Sequence, residues 1–202
     1  MHFSTIADRG CETTVIVSHG LRLQPYDPTQ VLQLSKDIAQ AFPNVDVSEF
    51  HRDDEKLFKL DGSLDLAAAY LNLRARKLKK TKQRVIALGV SLGGLISGMA
   101  IDDESSKLDS VITISMPTDL TEQPLPDEAK QRALHYTKKL PLKRVVMDCI
   151  YGGRDSTVDV DIVDACINNQ ASSVNFHKIP MMTHRSIGHH KAEIKAILDS
   201  LI

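Results

Sequence analysis

The sequence predicts an α/β fold, a mostly parallel sheet of about six strands with helices on both faces, in one domain over residues 1–202. Three observations carry this. Short apolar runs alternate with segments of helical periodicity along the whole chain, the pattern of strand–helix–strand units. Several of those runs are apolar at consecutive positions, as strands buried on both faces are. And one run, Val85–Leu88, passes through Gly89-Val90-Ser91-Leu92-Gly93 directly into a helical pattern.

In chain order, Thr13–Ser18 is the first buried strand. A helix follows Asp27-Pro28, with Asp27 as its cap, Pro28 in its first turn and Val31, Leu34, Ile38 and Phe42 on one face. Val45–Phe50 is a second strand. Ser63 to about Lys80 is a helix with Leu66, Tyr70 and Leu73 facing inward. After the strand Val85–Leu88, the apolar residues Leu95, Ile96, Met99 and Ala100 recur at helical spacing. Ser110–Met116 is the next strand, ended by Pro117. Asp127 to about Lys139 is a helix, Arg144–Tyr151 a strand, Val158–Asn168 a helix and Ser173–Ile179 the last strand. His190–Leu201 closes the chain as an amphipathic helix with Ile194, Ile197, Leu198 and Leu201 on one stripe. The short connections make the sheet mostly parallel.

Composition narrows the function classes. Hydrophobic residues make up 42% and charged residues 25%, a soluble globular balance, and the net charge of −1 favours neither nucleic acid nor an anionic membrane. Three cysteines, with no C-x-x-C, point to free thiols in a reducing, cytoplasmic compartment. The first residues lack the apolar core of a signal peptide, and no stretch approaches the roughly 18–20 apolar residues of a transmembrane helix. The basic run Arg74–Arg84 reads as the polar face and C-terminal end of a helix.

The chemistry centres on Ser91. A G-x-S-x-G where a strand turns sharply into a helix holds its serine in a strained conformation with the hydroxyl pushed outward, and the glycines let strand and helix pass closely. A serine hydroxyl needs a histidine to take its proton, a carboxylate to orient that histidine and N–H donors for the oxyanion. Asp155, in Tyr151-Gly-Gly-Arg-Asp155-Ser-Thr just after a strand, is the acid candidate. Asp159 and Asp161 are rivals that fit the start of the next helix better, and Asp148 lies within the strand. His184, between the last strand and the last helix, is the candidate base, with His189 and His190 as rivals nearer the helix. The spacing of these three histidines with acids does not form a metal motif. Oxyanion donors are the N–H groups of Leu92, directly after the nucleophile, and Leu21, in the loop His19-Gly20-Leu21 after the first strand. His19 reads as a structural histidine.

The order Ser91, Asp155, His184 is the order of the α/β-hydrolase superfamily. The chain resembles that superfamily over nearly its whole length, through Val-Ile-Val-Ser-His19-Gly20, Gly89-Val-Ser91-Leu-Gly-Gly94, Gly152-Gly-Arg-Asp155 and Thr183-His184. The resemblance implies a Ser–His–acid triad on a reduced sheet lacking the family's two leading strands, no cofactor and, because only a short stretch separates Pro117 from Lys143 where many members carry a lid, no large cap. Asp61-Gly-Ser-Leu-Asp-Leu-Ala-Ala-Ala-Tyr70 and Val111-Ile-Thr-Ile-Ser-Met-Pro117 resemble lipase-like and GPI-inositol-deacylase-like esterases. The chain departs from that group at Val90 and Thr118, where a histidine is frequent. The expected activity is hydrolysis of a small-molecule or lipid-like carboxylic ester through an acyl-enzyme, with an acyl-thioesterase and a non-catalytic binding protein of the same fold as alternatives.

Overall fold

The computed structural model describes residues 1–21, 29–118, 125–140, 146–169 and 173–202, apart from the side chains of 29–33. One seven-stranded sheet runs through it in the order β1-β3-β2-β4-β5-β6-β7. Its strands are β1 (His2–Ala7), β2 (Thr13–Ser18), β3 (Val45–His51), β4 (Arg84–Val90), β5 (Ser110–Ile114), β6 (Met147–Gly152) and β7 (Val174–Ile179). The helices are α1 (Thr29–Ala41), α2 (Asp54–Leu57), α3 (Ser63–Leu78), α4 (Leu92–Ile101), α5 (Asp127–Thr137), α6 (Val160–Asn168) and α7 (Lys191–Leu198). The proposed capping pair Asp27-Pro28, the side chain of Val31 and the start of the strand expected from Arg144 lie outside the described residues. Between β5 and β6 the described residues hold one helix, α5, and no large cap.

Every strand pairing is parallel except β1 with β3, which is antiparallel with a bulge between Thr5 and Ala7. β1 is the seventh strand, absent from the six expected. Only one flank of it is paired, its residues are exposed or half-buried, and so it lacks the continuous apolar run that marks the inner strands.

Two apolar layers sandwich the sheet. Successive strand residues point to opposite faces, so Val85 and Ala87 pack with α3, α4, α5 and α6, whereas Ile86 and Leu88 pack with α1 and α7. On α3 the inward face differs from the expected one. Leu66 and Leu73 are 42% and 46% exposed, while Leu64, Ala67, Ala68, Leu71 and Ala75 are buried. The small Ala67, Ala68 and Ala75 lie on the buried face of α3, which packs on α4, and Tyr70 turns aside to stack on Phe3 and Phe50.

The basic run is structural. Arg76 and Lys77 close the last turn of α3, Lys79 pairs with Asp109, Lys82 with Asp46, and Arg84 donates to the Leu201 carbonyl at 2.9 Å.

Candidate active site

The parallel strands end together on one edge of the sheet, and the singled-out residues lie along that edge. Ser91 follows β4 and precedes α4, with φ 50° and ψ −122°, a conformation that costs a non-glycine residue about 1–3 kcal/mol. It is held there from both sides: its N–H donates to the Ile114 carbonyl at 2.9 Å, and its own carbonyl accepts from the N–H groups of Gly94 and Leu95. The glycines of the motif are sterically required. A Cβ on Gly89 would lie 2.3 Å from the Gly93 carbonyl oxygen, and one on Gly93 would lie 2.3 Å from that of Ser18. Leu92 is the first residue of α4, so its N–H has no intrahelical partner and sits at the positive end of the helix dipole.

His184 reaches Ser91 from the far side of the sheet. Its Nε2 lies 2.9 Å from Ser91 Oγ. The imidazole stands on a tight turn in which Ser186 N–H donates to the Thr183 carbonyl at 3.1 Å and Thr183 N–H donates to Ser186 Oγ at 2.8 Å. That turn packs directly on the end of β6: a Cβ on Gly152 would sit 2.1 Å from the Met182 carbonyl oxygen, so only glycine lets the two loops meet.

Asp155 stands just past Gly152, its side chain fully buried, with Oδ2 3.2 Å from His184 Nδ1. Thr157 completes the group and was not singled out from the sequence. Its hydroxyl donates to Asp155 Oδ1 at 2.7 Å, its backbone N–H donates to the same oxygen at 3.0 Å, and Oγ1 lies 2.9 Å from His184 Nδ1. A hydroxyl has one hydrogen. With that hydrogen on Asp155, Nδ1 carries the ring proton and shares it between Thr157 and Asp155, which leaves the Nε2 lone pair facing Ser91. Burial pushes the Asp155 pKa up, but the hydrogen bonds from His184 and Thr157 outweigh it and hold the carboxyl below its ordinary value. The Asp155-Ser-Thr157 spacing is an aspartate-initiated turn, and that pattern was the available signal for Thr157.

None of the rivals joins this hydrogen-bond chain, although His189 lines the same cleft as Ser91. Asp148 pairs with His177 Nε2 at 2.9 Å on the last two strands, and Asp159 caps α6 by accepting from Asp161 N–H. His190 bonds Glu193 at 3.2 Å, and His189 lies exposed in the turn Ile187–His189. Thr118 ties the end of β5 to the acid turn: its N–H donates to the Thr157 carbonyl, and its hydroxyl accepts from Asp159 N–H at 2.6 Å. His19 is 1% exposed and locked to the loop after β2, its Nδ1 2.6 Å from the Gly20 carbonyl oxygen. All three cysteines are free thiols, and burial pushes Cys149 up to about 12 and Cys166 up to about 11, which keeps both protonated at neutral pH. Among the described residues no group of three or more His, Cys, Asp or Glu is placed to hold a metal, and no helix is long and apolar enough to cross a membrane.

A cleft of about 1110 Å³ opens at Ser91 and runs between α1 and α7. Leu34, Ile38 and Phe42 form one wall, Ile187, Ile194 and Leu198 the other, with Leu21, Val90 and His184 at the head. Asp37 and Lys191 bridge the two helices at 2.8 Å. This volume lies just above the usual range of about 300–1,000 Å³ for small-molecule sites.

No family model and no curated protein matches the sequence. Solved structures do match in fold. One of the metagenome-derived lipolytic enzymes LipS and LipT superposes with a TM-score of 0.74 at 13% identity, over 98% of this chain and 96% of that one. MGS-MChE2, an α/β hydrolase from the sediment metagenome of the Mar Chica lagoon in Morocco, gives 0.69 at 17% identity, over 98% and 93%. The Pyrococcus furiosus esterase Pf2001 gives 0.62 at 17% identity, over 95% and 80%. The chain has the α/β-hydrolase fold.

Proposed function

We propose that the chain is a serine hydrolase that cleaves carboxylic esters through an acyl-enzyme. The observation that carries the reading is the unbroken hydrogen-bond chain from Ser91 Oγ through His184 to Asp155 and Thr157 at the head of an apolar cleft. Neighbours in fold described as lipolytic enzymes and an esterase support the reaction class.

In this mechanism the Ser91 hydroxyl attacks the acyl carbon while His184 Nε2 takes its proton. Asp155 and Thr157 hold the Nδ1–H tautomer, so the lone pair is already aimed before substrate arrives, and the Asp155 carboxylate stabilises the imidazolium that forms. Negative charge gathers on the carbonyl oxygen. The N–H groups of Leu92, at the head of α4, and of Leu21 stabilise it. The tetrahedral intermediate collapses as His184 protonates the departing alcohol. Water then enters, gives its proton to His184 and attacks the acyl-enzyme, and Ser91 is regenerated with release of the acid. The apolar walls from α1 and α7 seat the acyl chain.

A fluorophosphonate probe tests the reading. The wild type is expected to be labelled at Ser91, and Ser91→Ala to lose that label. An unlabelled wild type, or equal labelling of the variant, overturns it. A panel of p-nitrophenyl esters and acyl-thioesters of graded length then identifies the leaving group and the acyl length that the cleft prefers.

A further inference from the structure

Arg52, directly after β3, is wholly buried, yet it faces one carboxylate. Its Nε donates to Asp54 Oδ1 at 3.1 Å. The rest of the guanidinium points at the loop that follows β2: Nη1 to Ser18 Oγ at 2.6 Å, Nη2 to the His19 carbonyl at 2.7 Å and to the Gly20 carbonyl at 3.3 Å, with His19 Nδ1 3.4 Å from Nη2. The Arg52 backbone N–H meets His19 Nε2 at 3.4 Å, which makes Nε2 the acceptor and Nδ1 the donor to the Gly20 carbonyl oxygen. Two cationic or polar donors therefore converge on one carbonyl, that of Gly20. Desolvating a charge costs several kcal/mol unless its partners compensate, and here most of the partners belong to that loop.

The direction of the Gly20 carbonyl fixes a second group. In a planar trans peptide the C=O and the following N–H point to opposite sides, so anchoring Gly20 C=O on Arg52 and His19 turns Leu21 N–H away from them. Gly20 itself lies against the nucleophile: a Cβ there would stand 3.3 Å from Ser91 Cβ and 3.8 Å from Ser91 Oγ. Leu21 heads the same cleft.

We infer that Arg52, together with His19, is a positioning residue that aims the Leu21 N–H at the developing oxyanion. The inference rests on the serine-esterase reading. A group that acts only on oxyanion charge changes kcat and leaves ground-state binding alone, whereas a mere staple of the fold changes the amount of folded protein.

Two full-length variants test this with p-nitrophenyl esters. Arg52→Lys keeps a charge for Asp54 but loses the planar fork. The double variant Arg52→Met, Asp54→Leu removes the buried pair together, so neither charge is left alone. In protein that is folded by circular dichroism, both are expected to lower kcat by about 10- to 100-fold with KM unchanged within threefold. Affinity for a trifluoromethyl ketone transition-state analogue should fall by the same factor as kcat. A kcat within threefold of wild type, a rise in KM that accounts for the loss, or a loss that tracks the unfolded fraction overturns the inference. A wild type that neither turns over nor labels at Ser91 overturns the serine reading and this with it, a result separate from an active wild type matched by active variants.

Discussion

Two halves of the molecule meet at Ser91, and they are held in opposite ways. The half from β6 and β7 brings Asp155, Thr157 and His184, with the imidazole about a quarter exposed at the cleft. The half from β2 and β3 brings Gly20 and Leu21, fastened from behind by Arg52, Asp54 and His19, none of which exceeds 5% exposure. In the proposed mechanism the exposed half carries a group that gains and loses a proton in each cycle, so it needs access and a defined tautomer. In the same proposal the buried half carries backbone dipoles that must not reorient as charge develops, so it needs rigidity. The contrast shows why one site combines a solvent-facing base with a sequestered guanidinium.

The largest effect should come from the exposed half. His184→Ala removes the base without touching either apolar layer, and a fall in kcat of about 10⁴-fold or more with a normal melting temperature is the expected result. Unchanged turnover would transfer the role to His189 or His190. A smaller effect is expected at the residue that shares the ring proton. Thr157→Val keeps the shape and loses the hydroxyl, and about a tenfold loss in kcat with little change in KM is expected, on the order of one hydrogen bond to a charged group. Full activity in that variant would leave Asp155 as the sole orienting group.

The smallest effect separates the halves by pH. The folded Asp155 carboxyl titrates below its unfolded value. Its contribution to stability is therefore fully present above the unfolded pKa, about 3.9, and is lost as pH falls through the folded one. In thermal melts from pH 7 to pH 3, the stability gap between wild type and Asp155→Asn should stay constant down to about pH 4 and narrow below it. Arg52 stays protonated over that whole range. A gap that did not narrow at all between about pH 4 and pH 3 would contradict the role given to the Asp155 hydrogen bonds.

The two halves also differ in how far the sequence discloses them. Gly89, Ser91 and Gly93 are readable because a sharp strand-to-helix turn imposes a local steric rule at fixed spacing, and Asp155 and His184 because strand ends are visible as the ends of apolar runs. Thr157 escapes notice because threonine is ordinary in a turn. What singles it out is an imidazole that the fold delivers from another loop. Arg52 is harder still. It sits in His51-Arg52-Asp53-Asp54, a run that looks solvated, and it is buried only because the carbonyls of a distant loop converge on it. The fold shows the same division. Inner strands such as Thr13–Ser18 are plain, whereas β1 pairs on one side and its apolar residues, Phe3, Ile6 and Ala7, are interrupted by Ser4 and Thr5. On α3 the bulk of Leu66 and Leu73 draws attention to the outer face, while the small residues Ala67, Ala68 and Ala75 mark the inner one.

The left-handed backbone at Ser91 carries a consequence for engineering. That turn is a standing debit against stability, held in place by the Ile114 carbonyl and the first turn of α4. Any procedure that ranks variants by melting temperature alone will favour residues that relax it, glycine above all, and will steer toward sturdier protein that has lost the proposed nucleophile. Thermostabilisation of this chain therefore has to be selected on turnover and heat resistance together.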